Sequence, residues 1–369
     1  MPERVAILGM GLIGGSIALG LKERTSVEVI GFDHADQNLQ LAESLGAIDK
    51  GTTQLNQAVE GVDFIIIALP VTLIKHTILE LSALSLSSNC IVTDVGSTKA
   101  EIVQTGKVLI EQGVTFIGGH PMAGSHQSGM QAAQSLLFEN AYYVLTPEVE
   151  TSMQAIQRLG GLLERATLAK LVLMEPSAHD RVVGAISHLP HVIAAGLVNQ
   201  VGKYNEENEW FHLLAAGGFR DLTRIGASDP TMWRDILLTN HQALIPLLDD
   251  WIKQMVHFRT AIQEKNADQI EELFTRSREL RRQLPEKKRK GILAPFFECV
   301  VDICDQPGEI AYLTKLLGQQ KINIKNICIL ENREYTPGVL RLSFQSQQDV
   351  IQAVTYLRHS GYTVYMDDE

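Results

Sequence analysis

The sequence predicts three successive domains of different fold class: an α/β domain, an all-α domain and a small α+β domain. Short apolar runs alternate with helical patterns up to about Met174, and long helical periodicities extend from Glu175 to Leu284. After Phe297 the signals follow the order β-α-β-β-α-β, which is the ferredoxin-like pattern. A length of 369 residues fits two to three domains. We therefore expect domains at 1–174, 175–284 and 297–369, with a linker at 285–296.

The first domain is predicted to contain a mostly parallel sheet wrapped by helices. The near-continuous aliphatic run Phe64–Leu69 is typical of a strand that is buried on both faces. Ligands bind such sheets at the carboxyl ends of the strands, so the residues after each run are candidates for a site. The runs that predict strands are Val5–Leu8, Val27–Phe32, Phe64–Leu69, Ile91–Val95, Thr115–Gly118, Tyr142–Leu145 and Leu171–Met174.

A glycine-rich segment between the first strand and the first helix predicts a dinucleotide site. Gly9 permits a tight turn, Gly11 lets the backbone approach a pyrophosphate, and Gly14 allows close packing of the helix. The N-terminus of the helix adds free N–H groups and a positive dipole end. The whole segment reads Gly9-Met10-Gly11-Leu12-Ile13-Gly14. We therefore expect a Rossmann-type domain.

The residues that end two neighbouring strands extend this cofactor site. Asp33 follows the second strand and lies 19 residues after Gly14. Its carboxylate is suited to accept hydrogen bonds from a ribose diol and would repel a 2′-phosphate, which favours NAD over NADP. Leu69 and Pro70, at the end of the third predicted strand, are included in the predicted cofactor site.

Composition and charge exclude several classes of function. The net charge of −11 argues against a nucleic-acid partner. Four cysteines without CxxC spacing fit a reducing compartment, so we expect a cytoplasmic protein. No basic and apolar leader is evident, and no uninterrupted apolar stretch approaches the roughly 20 residues that span a bilayer. We therefore expect neither secretion nor a membrane partner.

His120 is the candidate catalytic base. It lies in Gly118-Gly119-His120-Pro121-Met122-Ala123-Gly124, directly after the fifth predicted strand. A neutral imidazole is suited to accept the hydroxyl proton when a hydride leaves an alcohol carbon. Ser97 follows the fourth predicted strand and is expected at the same rim of the sheet, where its hydroxyl orients the substrate or the imidazole. The alternative is that Ser97 caps a helix, supported by Glu101.

Two histidines in Ser187-His188-Leu189-Pro190-His191 share one face of a predicted helix. Pro190 removes a backbone donor and should kink this helix. The pair could ligate a metal, but no nearby cysteine or third spaced histidine completes a zinc set. We therefore predict no metal and expect the two histidines to line a cleft.

The segment from Gly217 to Asp235 concentrates arginine and aromatic residues in the helical domain. A guanidinium group binds carboxylates in a bidentate manner, and Asp221 is placed to hold an arginine before a substrate arrives. The alternative is a set of surface ion pairs on a solvated helix. The predicted anion-recognition residues are Gly217, Arg220, Asp221, Arg224 and Trp233.

Taken together, these strings resemble prephenate dehydrogenase of the long form that carries a C-terminal ACT domain. The most specific parts are Gly119–Gly124, Ser187–His191 and Gly217–Asp221 with Arg224 and Trp233. The turn Asp305-Gln306-Pro307-Gly308 resembles the signature of the effector domain.

The resemblance implies oxidative decarboxylation of prephenate to 4-hydroxyphenylpyruvate, with the hydride passing to NAD. In this family's pattern His120 accepts the hydroxyl proton, Ser97 hydrogen-bonds near that hydroxyl, and His191 shapes the pocket. Arg224 would hold the ring carboxylate, with Arg220, Asp221 and Trp233 around it. The nearest alternatives are an arogenate dehydrogenase and a NAD-binding amino-acid sensor without catalysis.

The resemblance also implies regulation and assembly. Residues 297–369 would bind an amino-acid effector, most plausibly tyrosine, with Gly308 and Asn323 as candidate contacts; the alternative is a dimerisation or stability module. Helical domains of this kind often pair across a twofold axis, so we expect a homodimer.

Overall fold

The computed structural model describes residues 2–124, 127–283, 297–304, 306–330 and 338–366. The chain forms two compact units, Met1–Thr275 and Arg276–Glu369. The predicted α/β and helical domains both belong to the first unit. The predicted linker, 285–296, lies outside the described residues.

The described part of the first unit contains an eight-stranded sheet in the order β3-β2-β1-β4-β5-β6-β7-β8. Neighbouring strands pair in parallel except β6 and β7, which are antiparallel. This confirms the predicted mostly parallel sheet. The strands are β1 (Arg4–Leu8), β2 (Glu28–Phe32), β3 (Lys50–Thr52), β4 (Phe64–Ile67), β5 (Ile91–Asp94), β6 (Thr115–Pro121), β7 (Tyr142–Pro147) and β8 (Lys170–Leu173).

Two details of this sheet differ from the prediction. Strand β3 was missed because Lys50-Gly51-Thr52 contains no apolar run. Strand β6 was expected to end at Gly118, but it continues through His120 to Pro121 because it pairs with β7 beyond the end of β5. His120 therefore lies within a strand, opposite Val144, rather than in a loop.

Helices cover both faces of the sheet, and each face has its own hydrophobic core. Alternate residues of one strand enter different cores: Val5 and Ile7 pack on one face, Ala6 and Leu8 on the other. A strand buried on both faces needs such a continuous apolar run. The helices of this part are α1 (Leu12–Arg24), α2 (Asp36–Ser44), α3 (Leu55–Ala58), α4 (Val71–Ser82), α5 (Ala100–Ile110) and α6 (Met153–Thr167).

The second half of the first unit is helical, as predicted. The helical periodicity of the sequence is interrupted in the structure at Asn240, where α11 ends at Thr239 and α12 begins at His241. The Asn240 backbone, with φ −111° and ψ 18°, is not helical, and its buried side chain hydrogen-bonds other elements. The helices are α7 (Pro176–Val183), α8 (Leu189–Asn205), α9 (Trp210–Leu213), α10 (Gly217–Thr223), α11 (Pro230–Thr239), α12 (His241–Gln263) and α13 (Ala267–Gln283).

Helices α7 and α8 are joined by a turn of π-helix, Gly184–His188. The Leu189 N–H donates to the Gly184 carbonyl, so the wider turn precedes Pro190, which has no N–H to donate. The resulting run Pro176–Asn205 is long and apolar enough to cross a membrane by length and composition alone, although only 22% of its most apolar window is buried. This run is not an uninterrupted apolar stretch, since it contains Asp180, His188 and Asn199, so it does not contradict the expectation drawn from the sequence.

The second unit contains a four-stranded antiparallel sheet in the order β10-β11-β9-β12. Two helices pack against it around a core that includes Val301, Leu313 and Leu357. This confirms the predicted ferredoxin-like β-α-β-β-α-β fold. The elements are β9 (Phe297–Ile303), α14 (Glu309–Gln319), β10 (Ile324–Leu330), β11 (Gly338–Phe344), α15 (Gln347–His359) and β12 (Val364–Met366).

The order of the large sheet fixes where a ligand can bind. The chain leaves β1 toward β2 and β3 on one side and returns to β4 on the other. A crevice opens at such a switch point, outside the carboxyl ends of β1 and β4. The glycine-rich segment and the residues after β4, β5 and β6 meet there.

Candidate active site

The glycine-rich segment forms a cradle whose shape requires glycine. Gly9 adopts a φ of +104°, and a Cβ there would lie 2.4 Å from the Ala68 carbonyl oxygen. A Cβ at Gly14 would lie 2.0 Å from the Gly9 carbonyl oxygen, whereas one at Gly11 would meet no atom within 4 Å. The backbone at Gly11 is therefore open to a ligand, directly before the N-terminus of α1. These residues fit a dinucleotide pyrophosphate.

Asp33 binds the same segment to the end of β2. One carboxylate oxygen accepts the Met10 N–H at 2.9 Å, and the other accepts the Ala35 N–H at 2.9 Å and the Asn38 side-chain amide at 3.2 Å. A carboxylate offers about four acceptor positions. Three are used within the chain, and the remaining capacity suits a ribose hydroxyl. The sequence did not predict that Asp33 also holds the cradle in place.

A cavity of about 660 Å³ lies at the switch point. The predicted cofactor residues Gly11, Leu12, Ile13, Leu69 and Pro70 line it, as do Ser97 and His120. Gly9, Met10 and Gly14 belong to the same cradle but do not line the cavity. The helical part contributes residues that the sequence did not single out for this purpose: Ala227, Ser228, Asp229, Thr231, Met232, Asp235 and Ile236.

His120 is held by a chain of hydrogen bonds through two buried residues of α7. His120 Nδ1 lies 2.8 Å from His179 Nε2, and His179 Nδ1 lies 2.8 Å from Asp180 Oδ1. His179 is 1% exposed and Asp180 is 3% exposed. Neither residue lines the cavity, so both reach it only through His120.

Asp180 also caps helix α5. Its two carboxylate oxygens accept the Lys99 N–H at 2.7 Å and the Ala100 N–H at 2.8 Å. Lys99 is the N-cap residue of this helix, and no side-chain hydrogen bond within α5 satisfies its first turn. The alternative in which Ser97 caps the helix is therefore wrong, because an aspartate from α7 supplies the acceptors.

A buried ion pair fixes the backbone on the other side of His120. The Lys99 ammonium group contacts Asp94 and donates to the Gly119 carbonyl at 2.7 Å. Asp94 in turn accepts the N–H groups of Gly96 at 2.7 Å and Gly119 at 3.1 Å. These bonds tie the end of β5 to the residue that precedes His120.

The surroundings of His120 disfavour its charged form. Its pKa lies well below 6.5, mainly because of burial and further because of unfavourable electrostatic interactions with His179, Lys99 and His188. Burial also lowers the pKa of Lys99, although Asp94 opposes that shift. The imidazole of His120 is therefore neutral at physiological pH, as a general base must be before it acts.

A second cluster of side chains joins α8 and α11. The His191 ring stacks on the Trp233 indole, with ring centroids 3.7 Å apart and planes inclined by 24°. His191 Nδ1 donates to the Ser187 carbonyl at 2.8 Å. Burial lowers the pKa of His191, and the nearby charge of Arg224 lowers it further. The Trp233 indole N–H is buried and has no acceptor among the described residues.

His188 is buried beside this cluster, with its ring edge-to-face against the Trp233 indole at 5.8 Å between centroids. Its Nδ1 accepts a hydrogen bond from the Asn240 side-chain amide at 2.8 Å, and burial is the main cause that lowers its pKa to about 4. In the described part of the chain, no group of three or more His, Cys, Asp or Glu residues could hold a metal ion.

The predicted anion-recognition residues are only partly brought together. Arg224 is close enough to His191 to lower its pKa, but it is exposed and does not line the cavity; Gly217, Arg220 and Asp221 are exposed on α10 and do not line it either. The Arg220 Nε–H donates to the Ala215 carbonyl at 3.1 Å, and within the described residues no ion pair joins Arg220 to Asp221. Helix α10 buries Thr223 and exposes Arg220 and Asp221, so the role of Asp221 in holding an arginine stays a prediction.

Four site residues were not predicted from the sequence: His179, Asp180, Lys99 and Asp94. The available signals were a His-Asp pair two residues after Ser177 and a lysine five residues after a strand-ending aspartate, and neither spacing is specific. The contacts that bring His179 and Asp180 to the site join residues 59 and 81 positions apart in sequence.

Comparisons with known proteins agree with this geometry. Residues 17–173 match the family model for the prephenate dehydrogenase nucleotide-binding domain, and residues 175–276 match the model for its dimerization domain. Prephenate dehydrogenase of Bacillus subtilis is 41% identical over 352 residues, which are 95% of this chain and 94% of that protein.

Two solved structures resemble the chain. The complex of Aquifex aeolicus prephenate dehydrogenase with hydroxyphenyl propionate and NAD+ is 31% identical and covers 76% of this chain and 98% of that chain, with a TM-score of 0.69. Synechocystis arogenate dehydrogenase is 31% identical and covers 75% and 98%, with a TM-score of 0.68. With a relative of 41% identity along nearly its whole length and family models over both parts of its first unit, the chain belongs to the prephenate dehydrogenase family.

Proposed function

We propose that His120 is the general base of this NAD-dependent prephenate dehydrogenase. The proposal rests on one observation: His120 lines the cofactor cavity, and its Nδ1 hydrogen-bonds His179 inside the protein. Because Nδ1 is engaged inside the protein, Nε2 is the nitrogen left for the substrate. A neutral imidazole at this position is suited to take the proton of the ring hydroxyl.

The chemistry needs few other groups. Bound NAD supplies the hydride acceptor for the ring carbon that carries the hydroxyl. His120 removes the hydroxyl proton, and Ser97, which also lines the cavity, orients that hydroxyl. Loss of carbon dioxide from the oxidised ring yields an aromatic phenol, so this step needs little acid catalysis. The cavity side chains therefore serve mainly to align the ring.

We assign substrate binding to the cluster around His191. The Arg224 guanidinium is suited to bind the ring carboxylate, and the unsatisfied indole N–H of Trp233 offers a buried donor beside it. An unpaired buried donor is costly to the folded protein, so a ligand acceptor would stabilise it. Gly217, Arg220 and Asp221 remain predicted substrate contacts that would need α10 to move or a second subunit to approach.

The base assignment is tested by His120→Asn. We expect turnover of prephenate to fall by about 10²-fold or more, the usual contribution of a general base, while NAD affinity changes little. Turnover is followed by NADH absorbance and NAD affinity by isothermal calorimetry. His76→Gln is the matched control, because His76 is an exposed histidine on α4. Turnover of His120→Asn close to that of the unmodified enzyme would remove the assignment.

Arogenate is the second candidate substrate, because the similar Synechocystis structure is an arogenate dehydrogenase. Arogenate carries an amino group where prephenate has the side-chain keto group. Steady-state assays with both substrates and both nicotinamide cofactors distinguish the candidates. We expect a higher kcat/KM with prephenate and NAD; a preference for arogenate would overturn the substrate assignment and leave His120 as the base.

We further propose a cytoplasmic homodimer that is regulated by an amino acid, most plausibly tyrosine. The matched dimerization domain and the exposed apolar side of Pro176–Asn205 support pairing with a second copy. The ferredoxin-like unit supports an effector role, with Gly308 in the loop before α14 and the exposed Asn323 before β10 as candidate contacts. Asp305, from the same predicted effector signature, lies outside the described residues.

A further inference from the structure

The hydrogen-bond chain behind His120 contains two residues that cannot touch a substrate. His179 and Asp180 are almost completely buried in α7, and the cofactor cavity is lined by neither. They can affect the reaction only through His120, whose Nδ1 lies 2.8 Å from His179 Nε2. Any role in catalysis is therefore a positioning role.

The direction of each hydrogen bond follows from Asp180. Its carboxylate accepts backbone N–H groups from Lys99 and Ala100, and an ionised carboxylate has no proton to donate. His179 Nδ1 must then carry the hydrogen that points to Asp180 Oδ1. A neutral imidazole has one N–H, so His179 Nε2 is an acceptor and His120 Nδ1 donates to it. The single lone pair of His120 is thereby placed on Nε2.

We propose that His179 and Asp180 form a positioning pair that selects the Nδ1–H tautomer of His120 and stabilises its imidazolium form. The inference rests on the proposed role of His120 as the base. When the substrate O–H bond breaks, its proton binds His120 Nε2 and its electron pair stays with the oxygen, which becomes the carbonyl. No bond changes at His179 or Asp180. The Asp180 charge lies one imidazole away from the new positive charge and opposes the unfavourable effect of the Lys99 ammonium group.

Asp180 also has a structural role, which the experiment must separate from catalysis. It caps α5 through two N–H groups, and its own carbonyl accepts the Asn240 amide at 2.9 Å. A purely structural pair would affect stability and leave the tautomer and the pH dependence of His120 unchanged. Substitutions at His179 avoid the cap, because the His179 ring bonds the side chains of His120 and Asp180 and not the backbone of α5.

The first test compares His179→Gln with His179→Leu. Glutamine can accept the His120 Nδ1–H through its oxygen and donate to Asp180 through its amide, whereas leucine can do neither. We expect kcat/KM of the leucine variant to fall about 10²-fold or more, and that of the glutamine variant to stay within about tenfold of the unmodified enzyme. His76→Gln controls for loss of a histidine from the surface. Equal losses in the two His179 variants would overturn the proposal.

The second test uses Asp180→Asn and the pH profile of kcat/KM. Removing the negative charge makes the imidazolium of His120 less stable, so we expect the acid limb to move to lower pH by a measurable fraction of a unit or more. Ser152→Ala, which removes a side-chain cap from α6, is the control for cap loss and should leave the limb in place. An unmoved acid limb in Asp180→Asn would show that the residue acts only as a cap.

A third measurement needs neither substrate nor cofactor. Two-bond ¹H–¹⁵N spectra of histidine-labelled protein distinguish Nδ1–H from Nε2–H tautomers. We expect both His120 and His179 as Nδ1–H in the unmodified chain, and a loss of the single tautomer at His120 in His179→Leu. His120 found as Nε2–H would overturn the positioning role. Activity retained by His120→Asn would instead overturn the base assignment, so the two failures are distinguishable.

Discussion

His120 faces the cofactor cavity and is also anchored inside the protein. Its ring lines the cofactor cavity, yet its Nδ1 belongs to a buried hydrogen-bond chain that ends at Asp180. The backbone beside it is fixed by the Lys99–Asp94 ion pair through Gly119. A base held from both sides needs little reorganisation when substrate arrives.

The pH dependence of catalysis follows from these surroundings. Burial places the pKa of His120 well below 6.5, and unfavourable electrostatic interactions lower it further. The groups responsible are His179 of α7, Lys99 in the loop after β5 and His188 of the π turn. The base works as the neutral imidazole, so kcat/KM is full above this pKa and is lost as pH falls through it. We therefore expect the acid limb of kcat/KM for prephenate below pH 6.5. An acid limb at or above pH 6.5 would contradict this account.

The cradle offers a matched pair of glycine variants. Gly14→Ala places a methyl group 2.0 Å from the Gly9 carbonyl oxygen, so we expect about 1–3 kcal/mol lower stability in urea unfolding. Gly11→Ala meets no protein atom within 4 Å, so its stability should change by less than about 0.5 kcal/mol. Its NAD affinity should fall roughly tenfold, because the methyl group occupies the space that the pyrophosphate approaches. Unchanged NAD affinity in Gly11→Ala would argue against this cradle.

The sequence identified the residues that act through a local pattern. The glycine spacing, Asp33 and the position of His120 near a strand end could all be predicted from a few neighbouring residues. His179 and Asp180 could not, because their roles depend on α7 lying against α5 and β6 in three dimensions. Arg220 and Asp221 are the converse case: adjacency in sequence does not bring them into an ion pair, because both side chains are exposed on α10.

At the scale of elements, α5 depends on a residue from another helix for its N-terminal cap. Asp180 supplies both acceptors from α7, whereas α6 is capped by its own Ser152, which accepts the Ala155 N–H at 3.2 Å. A cap supplied across a helix pair connects the stability of α5 with the placement of α7. The same contact joins the nucleotide-binding part to the start of the helical part.

This difference predicts unequal effects of removing the two caps. Ser152→Ala should cost about 1 kcal/mol, the usual value for a cap. Asp180→Ala should cost about 2 kcal/mol or more, because it leaves two N–H groups and the buried His179 without an acceptor. Urea unfolding of both variants measures the difference. Equal losses would show that the Asp180 contacts contribute no more than a local cap.

Element boundaries were predicted best where the chain has strong periodicity. Seven of the eight strands of the large sheet begin or end close to an apolar run, and β3 was missed because it is short and polar. The interruption at Asn240 could not be predicted, since α11 and α12 form one periodic pattern in sequence. The π turn was partly predicted. Pro190 indicated an irregularity in the helix, and the structure shows this irregularity in the turn before Pro190.

At the scale of the whole molecule, the chain consists of two compact units, and the second begins within α13. Each has a hydrophobic core of its own. A chain ending at residue 283 should therefore fold and turn over prephenate. If the second unit binds the effector, this shortened chain should lose inhibition by tyrosine. Inhibition that persists would locate the effector in the first unit, within the active site itself.

Assembly is predicted from the outward apolar side of the first unit. Helix Pro176–Asn205 buries only 22% of its most apolar window, and α8 and α12 expose side chains such as Val198 and Ile252. We expect sedimentation equilibrium to give a dimer, and Ile252→Glu to shift it toward the monomer because a buried charge is costly. A monomeric unmodified chain would contradict this prediction.

The most direct test of the central claim is a crystal structure of the enzyme with NAD and hydroxyphenyl propionate, the ligand pair present in the similar Aquifex aeolicus complex. We expect His120 Nε2 to lie within about 2.6–3.2 Å of the ligand's ring hydroxyl oxygen, with Nδ1 still bonded to His179. A ligand hydroxyl bound away from His120, or a His120 ring that presents Nδ1 to the ligand, would contradict it.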